Sequence, residues 1–236
     1  MVPLSFAPFP FAGHEFVLVG GRALYWPAEQ ALLVADLHLE KASYYAKTGQ
    51  LLPPYDSRET LERVALAIRA TGARKVFTLG DNFHDSDGPT RMEPHAAGML
   101  GALTRVVEWV WLTGNHDAAM EAAVGGELME ELEIAGVVLR HQATAGETRP
   151  ELSGHFHPRL QLTVRDRRIR RPCAVVSEGS GGAATRMILP AFGALTGGMS
   201  AADPAIVAAL QPASTIDALV TAGGRLARFP LWRAAA

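Results

Sequence analysis

The sequence predicts an α/β fold: a mixed β-sandwich with helices on its outer faces and an all-β second half. The first half supports this with two successive units of strand, helix and strand, whose helices carry apolar residues at helical spacing. The second half, from about Ile134, supports it with short apolar β segments. No linker-like stretch separates the halves, so we expect one domain over residues 1–236.

The first half alternates strands and helices. In chain order the predicted elements are strands at 16–19 and 31–35, a helix over 57–70, a strand at 75–79, a helix over 91–106 and a strand at 109–113. The strands are short apolar runs bounded by glycine, proline or polar residues. The first helix has Leu61, Val64 and Ile68 on one face and is followed by Gly72, a typical helix stop.

The second half contains short β segments, and two of them flank a turn. The predicted segments are 137–139, 160–164, 169–177 and 187–189. Because Arg165-Asp166-Arg167 separates the second from the third, we expect a β-hairpin that begins directly after His157.

Composition excludes several classes of protein. With 48% hydrophobic and 19% charged residues the chain is not disordered. Its 22 Lys and Arg against 24 Asp and Glu give a net charge of −2, so no global basic field attracts nucleic acid or anionic lipid. The single cysteine, Cys173, excludes an internal disulfide and a cysteine-rich zinc site, and fits a reducing compartment, so we expect a cytoplasmic protein.

Neither a signal peptide nor a membrane helix is expected. The N-terminal ten residues are apolar, but they lack a basic region and contain three prolines. No uninterrupted apolar run approaches the roughly 18 residues that a membrane helix requires. We therefore expect no membrane association.

Five short polar segments each follow a predicted strand. They are residues 36–38, 80–85, 114–117, 141–142 and 154–157. Side chains at the ends of neighbouring strands converge, so we expect these segments to meet in one site. Their imidazole, carboxylate and carboxamide groups suit Mn, Fe or Zn, and they are too many for one ion. The sequence therefore predicts a site for two metal ions.

The spacing within these segments also favours metal binding. In Asp36-x-His38 and His155-x-His157, residues two apart on an extended strand would project from one face and chelate an ion. Glycines precede Asp81, Asn115 and His155, where we expect the backbone to turn sharply beside the metal with no side chain in the way.

The ordered motifs Asp-x-His, Gly-Asp, Gly-Asn-His-Asp, His and Gly-His-x-His, between residues 31 and 157, resemble the calcineurin-like metallophosphoesterase superfamily. The resemblance implies a four-layer α/β/β/α sandwich with mixed sheets. It also implies two divalent metal ions, Mn²⁺ first, with Fe or Zn as alternatives. The implied reaction is phosphoester hydrolysis through attack by a hydroxide that bridges the two ions.

The resemblance further implies a role for each residue of the site. The implied ligands are Asp36, His38 and His157 for one ion, Asn115, His141 and His155 for the other, and Asp81 for both. His116 would protonate the leaving oxygen, with Asp117 as its orienting partner. His84 stands where the common Gly-Asp-x-x-Asp pattern has its last aspartate. Because Gly-Asp-x-Phe-His is similar to the repair-nuclease branch, we expect His84 to position the substrate.

Three longer segments narrow the resemblance. Residues 36–41, 153–158 and 186–198 look like the bacterial ligase-associated DNA damage response endonucleases, a subfamily of the metallophosphoesterases. This resemblance implies that DNA is the substrate. It also implies functional association with an ATP-dependent DNA ligase and a helicase. The residues predict no oligomeric state.

The predicted hairpin is strongly cationic. It carries Arg159, Arg165, Arg167, Arg168, Arg170 and Arg171 against one acid, Asp166. Arginine binds phosphate with two parallel hydrogen bonds, so we expect Arg165, Arg167, Arg168 and Arg170 to contact DNA phosphates. The alternative is a solvated strand edge whose charges only prevent sheet pairing.

The function that these observations favour is a two-metal phosphodiesterase, an endonuclease that hydrolyses DNA and acts in DNA repair. The alternative is a phosphoesterase for nucleotides, cyclic nucleotides or another small phosphoester. A third possibility is a scaffold with this fold and no catalysis, as in retromer-subunit-like members of the superfamily. Such a scaffold would lack ligands, and all seven implied ligand positions are occupied here.

Overall fold

The computed structural model describes residues 4–117 and 125–235. In chain order its strands are β1 (Phe6–Phe11), β2 (His14–Val19), β3 (Ala23–Trp26), β4 (Ala31–Val34), β5 (Lys75–Leu79), β6 (Glu108–Leu112), β7 (Glu127–Met129), β8 (Glu131–Ile134), β9 (Val137–Arg140), β10 (Glu151–Ser153), β11 (Arg159–Val164), β12 (Arg167–Pro172), β13 (Ala174–Gly179), β14 (Arg186–Ile188), β15 (Ala213–Ala222) and β16 (Arg225–Arg233). The α-helices are α1 (Lys41–Ala46), α2 (Asp56–Thr71), α3 (Gly88–Arg91), α4 (Pro94–Val106) and α5 (Pro204–Ala209).

Two large mixed sheets form the centre of the fold. The first has the order β1-β2-β3-β4-β5-β6-β7, antiparallel from β1 to β4 and parallel from β4 to β7. The second has the order β16-β15-β13-β14-β10-β9-β8. In this sheet β10 runs parallel to both β9 and β14, and the other pairs are antiparallel. The predicted mixed β-sandwich is therefore confirmed.

The main core lies between the two sheets. Phe16, Leu33 and Leu79 of the first sheet share one buried apolar cluster with Leu139 and Met187 of the second. Burying each such side chain contributes about 1.5–3 kcal/mol, so this shared cluster is a main source of the free energy that holds the two sheets together.

The two outer faces are covered differently. Helices α2 and α4 cover the first sheet, where Leu61, Val64 and Leu100 are buried. On the second sheet the outer cluster combines Ile206 of the six-residue α5 with Leu160 of the β11–β12 hairpin. The fourth layer of the expected α/β/β/α sandwich is thus one short helix beside a two-stranded ribbon. None of the described helices is long and apolar enough to cross a membrane.

Most expected elements are present with small shifts of their ends, but the segment predicted at 169–177 is two strands, β12 and β13, which belong to different sheets. The strand predicted at 75–79 is confirmed residue for residue as β5. The helix predicted from residue 91 instead starts at Pro94, because the Glu93 carboxylate caps it by accepting the backbone N–H groups of His95 and Ala96. The predicted hairpin is β11–β12, and its turn residues Arg165 and Asp166 have φ of 48° and 62°.

Candidate metal centre

The polar segments converge because the strands before them end at one side of the sandwich. Three follow β4, β5 and β6 of the first sheet, and two follow β9 and β10 of the second. The ends of adjacent parallel strands meet at one edge of a sheet, so side chains from five strands reach one place without a long loop.

The first cluster joins both sheets. Asp36, His38, Asp81 and His157 each offer a ligand atom within 4.8 Å of the others. The Nε2 atoms of His38 and His157 are 3.2 Å apart, and His157 Nε2 lies 3.4 Å from Asp36 Oδ1. His38 Nε2 is 3.7 Å from Asp81 Oδ2. Four ligand atoms therefore surround one point.

The second cluster shares Asp81 with the first. It contains Asp81, His141 and His155. His155 Nδ1 lies 3.0 Å from His141 Nε2, which is 3.4 Å from Asp81 Oδ1. One carboxylate oxygen of Asp81 thus faces each cluster, which is the arrangement of a ligand that bridges two ions.

The donor set fits divalent ions. Two nitrogen ligands about 2.1 Å from one ion lie about 3.0–3.4 Å apart, which matches the His38–His157 and His141–His155 separations. His141 Nδ1 lies 3.0 Å from the carbonyl oxygen of Leu79, and donation there leaves Nε2 free as a ligand. His38 Nδ1, by contrast, is buried without a hydrogen-bond partner.

Two histidines of the clusters, His38 and His155, are held in the neutral form that metal binding requires. Burial, reinforced by the nearby His157, lowers the pKa of His38 to about 2. The pKa of His155 is also lowered, first by burial and then by His141. A neutral imidazole keeps a lone pair for an ion, so these side chains are ready to bind one without losing a proton.

Backbone strain is concentrated in these segments. Eleven described non-glycine residues have positive φ, and five of them belong to the clusters: Asp36, His38, Asp81, His155 and His157. A left-handed conformation costs of the order of 1–3 kcal/mol per residue and persists only where surrounding structure imposes it. The expectation that residues two apart project from an extended strand is therefore wrong. β4 and β10 end before the ligands, and tight left-handed turns aim them instead.

The predicted close approach of the glycines is confirmed. A Cβ on Gly80 would collide with the ring of His141, and one on Gly114 would collide with the backbone and carboxylate of Asp81. A Cβ on Gly154 would lie 2.7 Å from Asp36 Oδ2. Each glycine thus leaves room for a ligand contributed by another segment.

Asp117 has different partners from those expected. Its carboxylate accepts the backbone N–H groups of Asn82, Phe83 and Gly114, and the side-chain amide of Asn82. No hydrogen bond or ion pair joins it to His116 in the part of the chain that the structure describes. Burial raises the pKa of Asp117, and the three backbone donors oppose that shift. The residue ties the Asp81 segment to the segment after β6, and does not orient His116.

His116 and His84 lie beside the first cluster. The backbone N–H of His116 donates to Asp81 Oδ1 at 3.1 Å, and its exposed ring places Nε2 3.9 Å from Asp81 Oδ2. The His84 ring stacks on that of His116, with centroids 5.4 Å apart and planes at 18°. Burial first, and then the charge of Lys41, lowers the pKa of His84 to about 4.

Two tyrosines that the sequence analysis did not assign to the site contact His84. The Tyr44 and Tyr45 ring centroids lie 4.7 and 5.5 Å from that of His84. From the sequence, their position directly after the Asp-x-His motif allowed either lining of the cleft or simple packing, and the contacts with His84 favour the first. Asn115 is exposed, and among described contacts its side chain makes no hydrogen bond to either cluster. Its role as a ligand stays a prediction.

The cationic hairpin begins two residues after His157. The side chains of Arg165, Arg167 and Arg168 are exposed and have no hydrogen bond or ion pair to other described residues. Arg170 donates to the carbonyl oxygen of Gly198. Gly198 lies directly against His157, because a Cβ at Gly198 would touch the carbonyl oxygen of His157. The hydrogen bond from Arg170 to Gly198 therefore holds the hairpin beside the segment that carries the ligands.

Comparison with known proteins supports the same class. No protein-family model and no curated protein matches the chain. Among solved structures the chain is similar to Pseudomonas putida nuclease MPE, with a TM-score of 0.67 and 27% identity over 91% of this chain and 96% of that one. It is more weakly similar to Yfce, a phosphoesterase from E. coli, with a TM-score of 0.44 and 14% identity over 85% and 98% of the two chains. With its sandwich fold, its similarity to the nuclease and its two candidate metal clusters, the chain is a metallophosphoesterase-like, metal-dependent phosphoesterase.

Proposed function

We propose that this phosphoesterase is a two-metal phosphodiesterase that cuts DNA, and that it acts in DNA repair. The observation that carries the proposal is the pair of His and Asp clusters that share Asp81. A cationic hairpin begins two residues after one of their members, His157. The first feature suits phosphoester hydrolysis, and the second suits a polyanionic substrate.

The clusters would hold both ions between the sheets. Asp36, His38 and His157 would bind one, His141 and His155 the other, and Asp81 both, while Asn115 would complete the second set. When bound, two divalent ions, with Mn²⁺ as the first candidate, would neutralise phosphoryl oxygens and acidify water. The left-handed turns keep these ligands in place before metal arrives, which lowers the entropy cost of binding.

His116 would donate the proton that the leaving oxygen requires. Its backbone N–H is anchored to Asp81, while its ring is exposed and so can reach a substrate bound at the clusters. Stacking on His84 limits the rotation of the His116 ring. Proton transfer needs a donor within hydrogen-bond reach of the reacting oxygen, and these two contacts fix where the donor lies.

The hairpin would hold the phosphates on either side of the cut. Arg165, Arg167 and Arg168 have no acidic partner among described residues, so their guanidinium groups are free to bind phosphate oxygens. Arg91 and Lys47 differ from the hairpin arginines, because both already form ion pairs with Asp85.

The proposal is tested by nicking of supercoiled plasmid and cutting of an oligonucleotide in Mn²⁺. We expect cutting by the wild type, loss of cutting with a chelator, and a loss of at least about 100-fold with His116→Ala. His95→Ala is the matched control, because His95 is exposed on α4 and belongs to neither cluster. It should cut as the wild type does.

Two outcomes would contradict the proposal. Hydrolysis of bis(p-nitrophenyl) phosphate without any cutting of DNA would favour the small-phosphoester alternative. Equal cutting by His116→Ala and wild type would remove His116 from the reaction. Running the same assay with Zn²⁺ and Fe²⁺ identifies the most effective metal.

A further inference from the structure

Four arginines outside the metal clusters gather near one edge of the first sheet. Arg22 follows the Gly20-Gly21 turn, Arg63 lies on α2, and Arg159 and Arg171 lie at the base of the hairpin. Arg22 lines two surface depressions. One, of about 220 Å³, also includes Arg63, and the other, of about 180 Å³, also includes Arg171. We call these four residues the arginine cluster.

The charge of the arginine cluster is largely uncompensated. Among described residues the Arg22 guanidinium donates only to the carbonyl oxygens of Ala191 and Gly193, at 3.0 and 3.5 Å. Across residues 4–117 and 125–235, Arg22, Arg159 and Arg171 form no ion pair, and the buried Nε of Arg159 has no hydrogen-bond partner.

The surroundings of Arg22 are cationic as well as partly buried. Burial, then the charges of Arg63 and Arg159, lower its pKa, and the opposing acid, Glu59, is already paired with Arg63. A guanidinium keeps its proton even so. Like charges held together with part of their surface out of water are costly unless an anion joins them, so the cluster favours binding of an anion.

The arginine cluster adjoins the metal centre through one short segment. Gly193 accepts a hydrogen bond from Arg22, and its own N–H donates to the backbone oxygen of Asp36 at 3.3 Å. On the other side Arg159 follows His157 by one intervening residue. Because β3 and β4 are antiparallel, β3 begins, just after Arg22, at the edge where β4 ends beside Asp36.

We propose that the arginine cluster is a phosphate-binding site for the nucleic-acid strand whose scissile phosphate lies at the metal centre. The ligand is a neighbouring phosphodiester group of the same backbone. This inference rests on the proposed function and adds to it, because it places strand binding at the base of the hairpin and on Arg22 rather than only at the hairpin tip. No sequence motif marks Arg22.

The test measures the DNA affinity of the full chain with Mn²⁺ bound. Every protein in it carries His116→Ala, which prevents turnover, and the protein with this change alone is the parent. A fluorescent oligonucleotide is titrated at several KCl concentrations with Arg22→Gln, Arg171→Gln and Arg105→Gln. We expect the first two each to weaken binding about tenfold and to reduce the slope of log K against log[KCl] by about one. Arg105 is the control, because α4 ends at the opposite edge of the sheet, and its variant should bind as the parent does.

Two further readouts separate strand binding from a structural role. Thermal unfolding is measured for each variant, because Arg22→Gln also loses two hydrogen bonds to carbonyl groups. The Arg171 side chain makes no hydrogen bond to a described residue, so Arg171→Gln should unfold at the same temperature as the parent, and weaker DNA binding by that variant then reports strand binding. Turnover is measured in the active protein, which keeps His116. There Arg22→Gln should slow DNA cutting about tenfold more than it slows hydrolysis of bis(p-nitrophenyl) phosphate.

The outcomes distinguish this inference from the proposed function. If the parent binds DNA and both cluster variants keep its affinity and salt slope, the phosphate-binding site is overturned and the nuclease proposal stands. If the parent shows no salt-dependent DNA binding, the nuclease proposal fails and the site falls with it.

Discussion

The carboxylate of Asp36 accepts the backbone N–H of His155, with Oδ1 at 3.0 Å and Oδ2 at 3.1 Å. The bond joins the first metal motif of the sequence to the last, across 119 residues. Asp36 therefore has two tasks: it offers oxygens to an ion, and it holds the turn from which the His155 and His157 rings project.

Two substitutions separate the tasks of Asp36. In Asp36→Asn a side-chain oxygen still accepts the His155 N–H, so we expect the free energy of unfolding without metal to stay within about 1 kcal/mol of wild type. Asp36→Ala leaves that N–H without its partner and should cost about 1–3 kcal/mol. Both should weaken Mn²⁺ binding at least about tenfold in calorimetric titrations. Wild-type affinity in the asparagine variant would exclude Asp36 as a ligand.

The position of Asp81 between the clusters predicts how many ions each variant binds. Wild type should bind two Mn²⁺ per chain. His157→Ala and His141→Ala should each keep one, since each removes a ligand of a different cluster. Asp81→Asn should weaken both sites together. Metal analysis after gel filtration measures the ratio, and an Asp81→Asn protein that keeps one site at full affinity would show that the carboxylate does not bridge.

Asp117 should affect stability and leave the pH dependence of catalysis unchanged. Asp117→Ala removes an acceptor from three backbone N–H groups and one amide, so we expect a loss of about 1–3 kcal/mol in the free energy of unfolding. The pH profile of kcat on bis(p-nitrophenyl) phosphate should keep its midpoints. A shifted profile with unchanged stability would restore the role in orienting His116.

Glu151 should make stability depend on pH. Burial raises the pKa of this carboxyl to about 7, against the opposing charge of Arg140. Because the folded-state pKa lies above its ordinary value of 4.5, folding favours the protonated form. The stability that this proton provides is present below about pH 4.5 and is lost as the pH rises through 7.

Glu151→Gln isolates this effect. The measured quantity is the difference in unfolding free energy between wild type and Glu151→Gln. Between pH 4.5 and 8 wild type should become less stable relative to the variant by up to about 3 kcal/mol, at about 1.4 kcal/mol per pKa unit. Urea unfolding with chelator at each pH measures the difference. Asp166→Asn, at the exposed hairpin turn, is the matched carboxyl control. A constant difference for Glu151 would mean that Arg140 keeps the carboxylate ionised throughout.

The sequence predicts the central strands well, because each is an apolar run ending in polar residues, but it does not predict β1, β15 or β16. β1 contains Pro8 and Pro10, which usually argue against a strand. β1 is the edge strand of the first sheet, where every second backbone N has no partner strand, so prolines two residues apart are tolerated there. Pro8 and Pro10 are exposed, while Ala7, Phe9 and Phe11 are buried. The alternation of buried and exposed residues was the available signal.

The sequence also contains a signal for the last hairpin, β15–β16. Gly223 and Gly224 both have positive φ and join β15 to β16 in a two-residue turn. Two glycines between alternating segments are typical of such turns. The pattern is present in the sequence, and it extends the second sheet by two strands.

The site was partly predictable. Motif order was enough to expect that Asp36, Asp81 and His155 converge, although β10, the strand before His155, was not itself predicted. The hydrogen-bond partners of Asp117 and the left-handed turns could not be predicted, because they depend on how separate loops pack against one another. Arg22 lies in no motif, and its surroundings exist only once the 191–193 segment has folded beside it.

Both clusters combine residues from the two halves of the chain. Asp81 comes from the first sheet, and the histidines at 141, 155 and 157 follow strands of the second. Each bound ion would therefore act as a cross-link between the sheets. At a free concentration 100 times its Kd, one ion adds about 2.7 kcal/mol to the stability of the folded chain. Neither half holds a complete ligand set, so the bonds that would serve catalysis would also add to the apolar contact that already joins the two sheets.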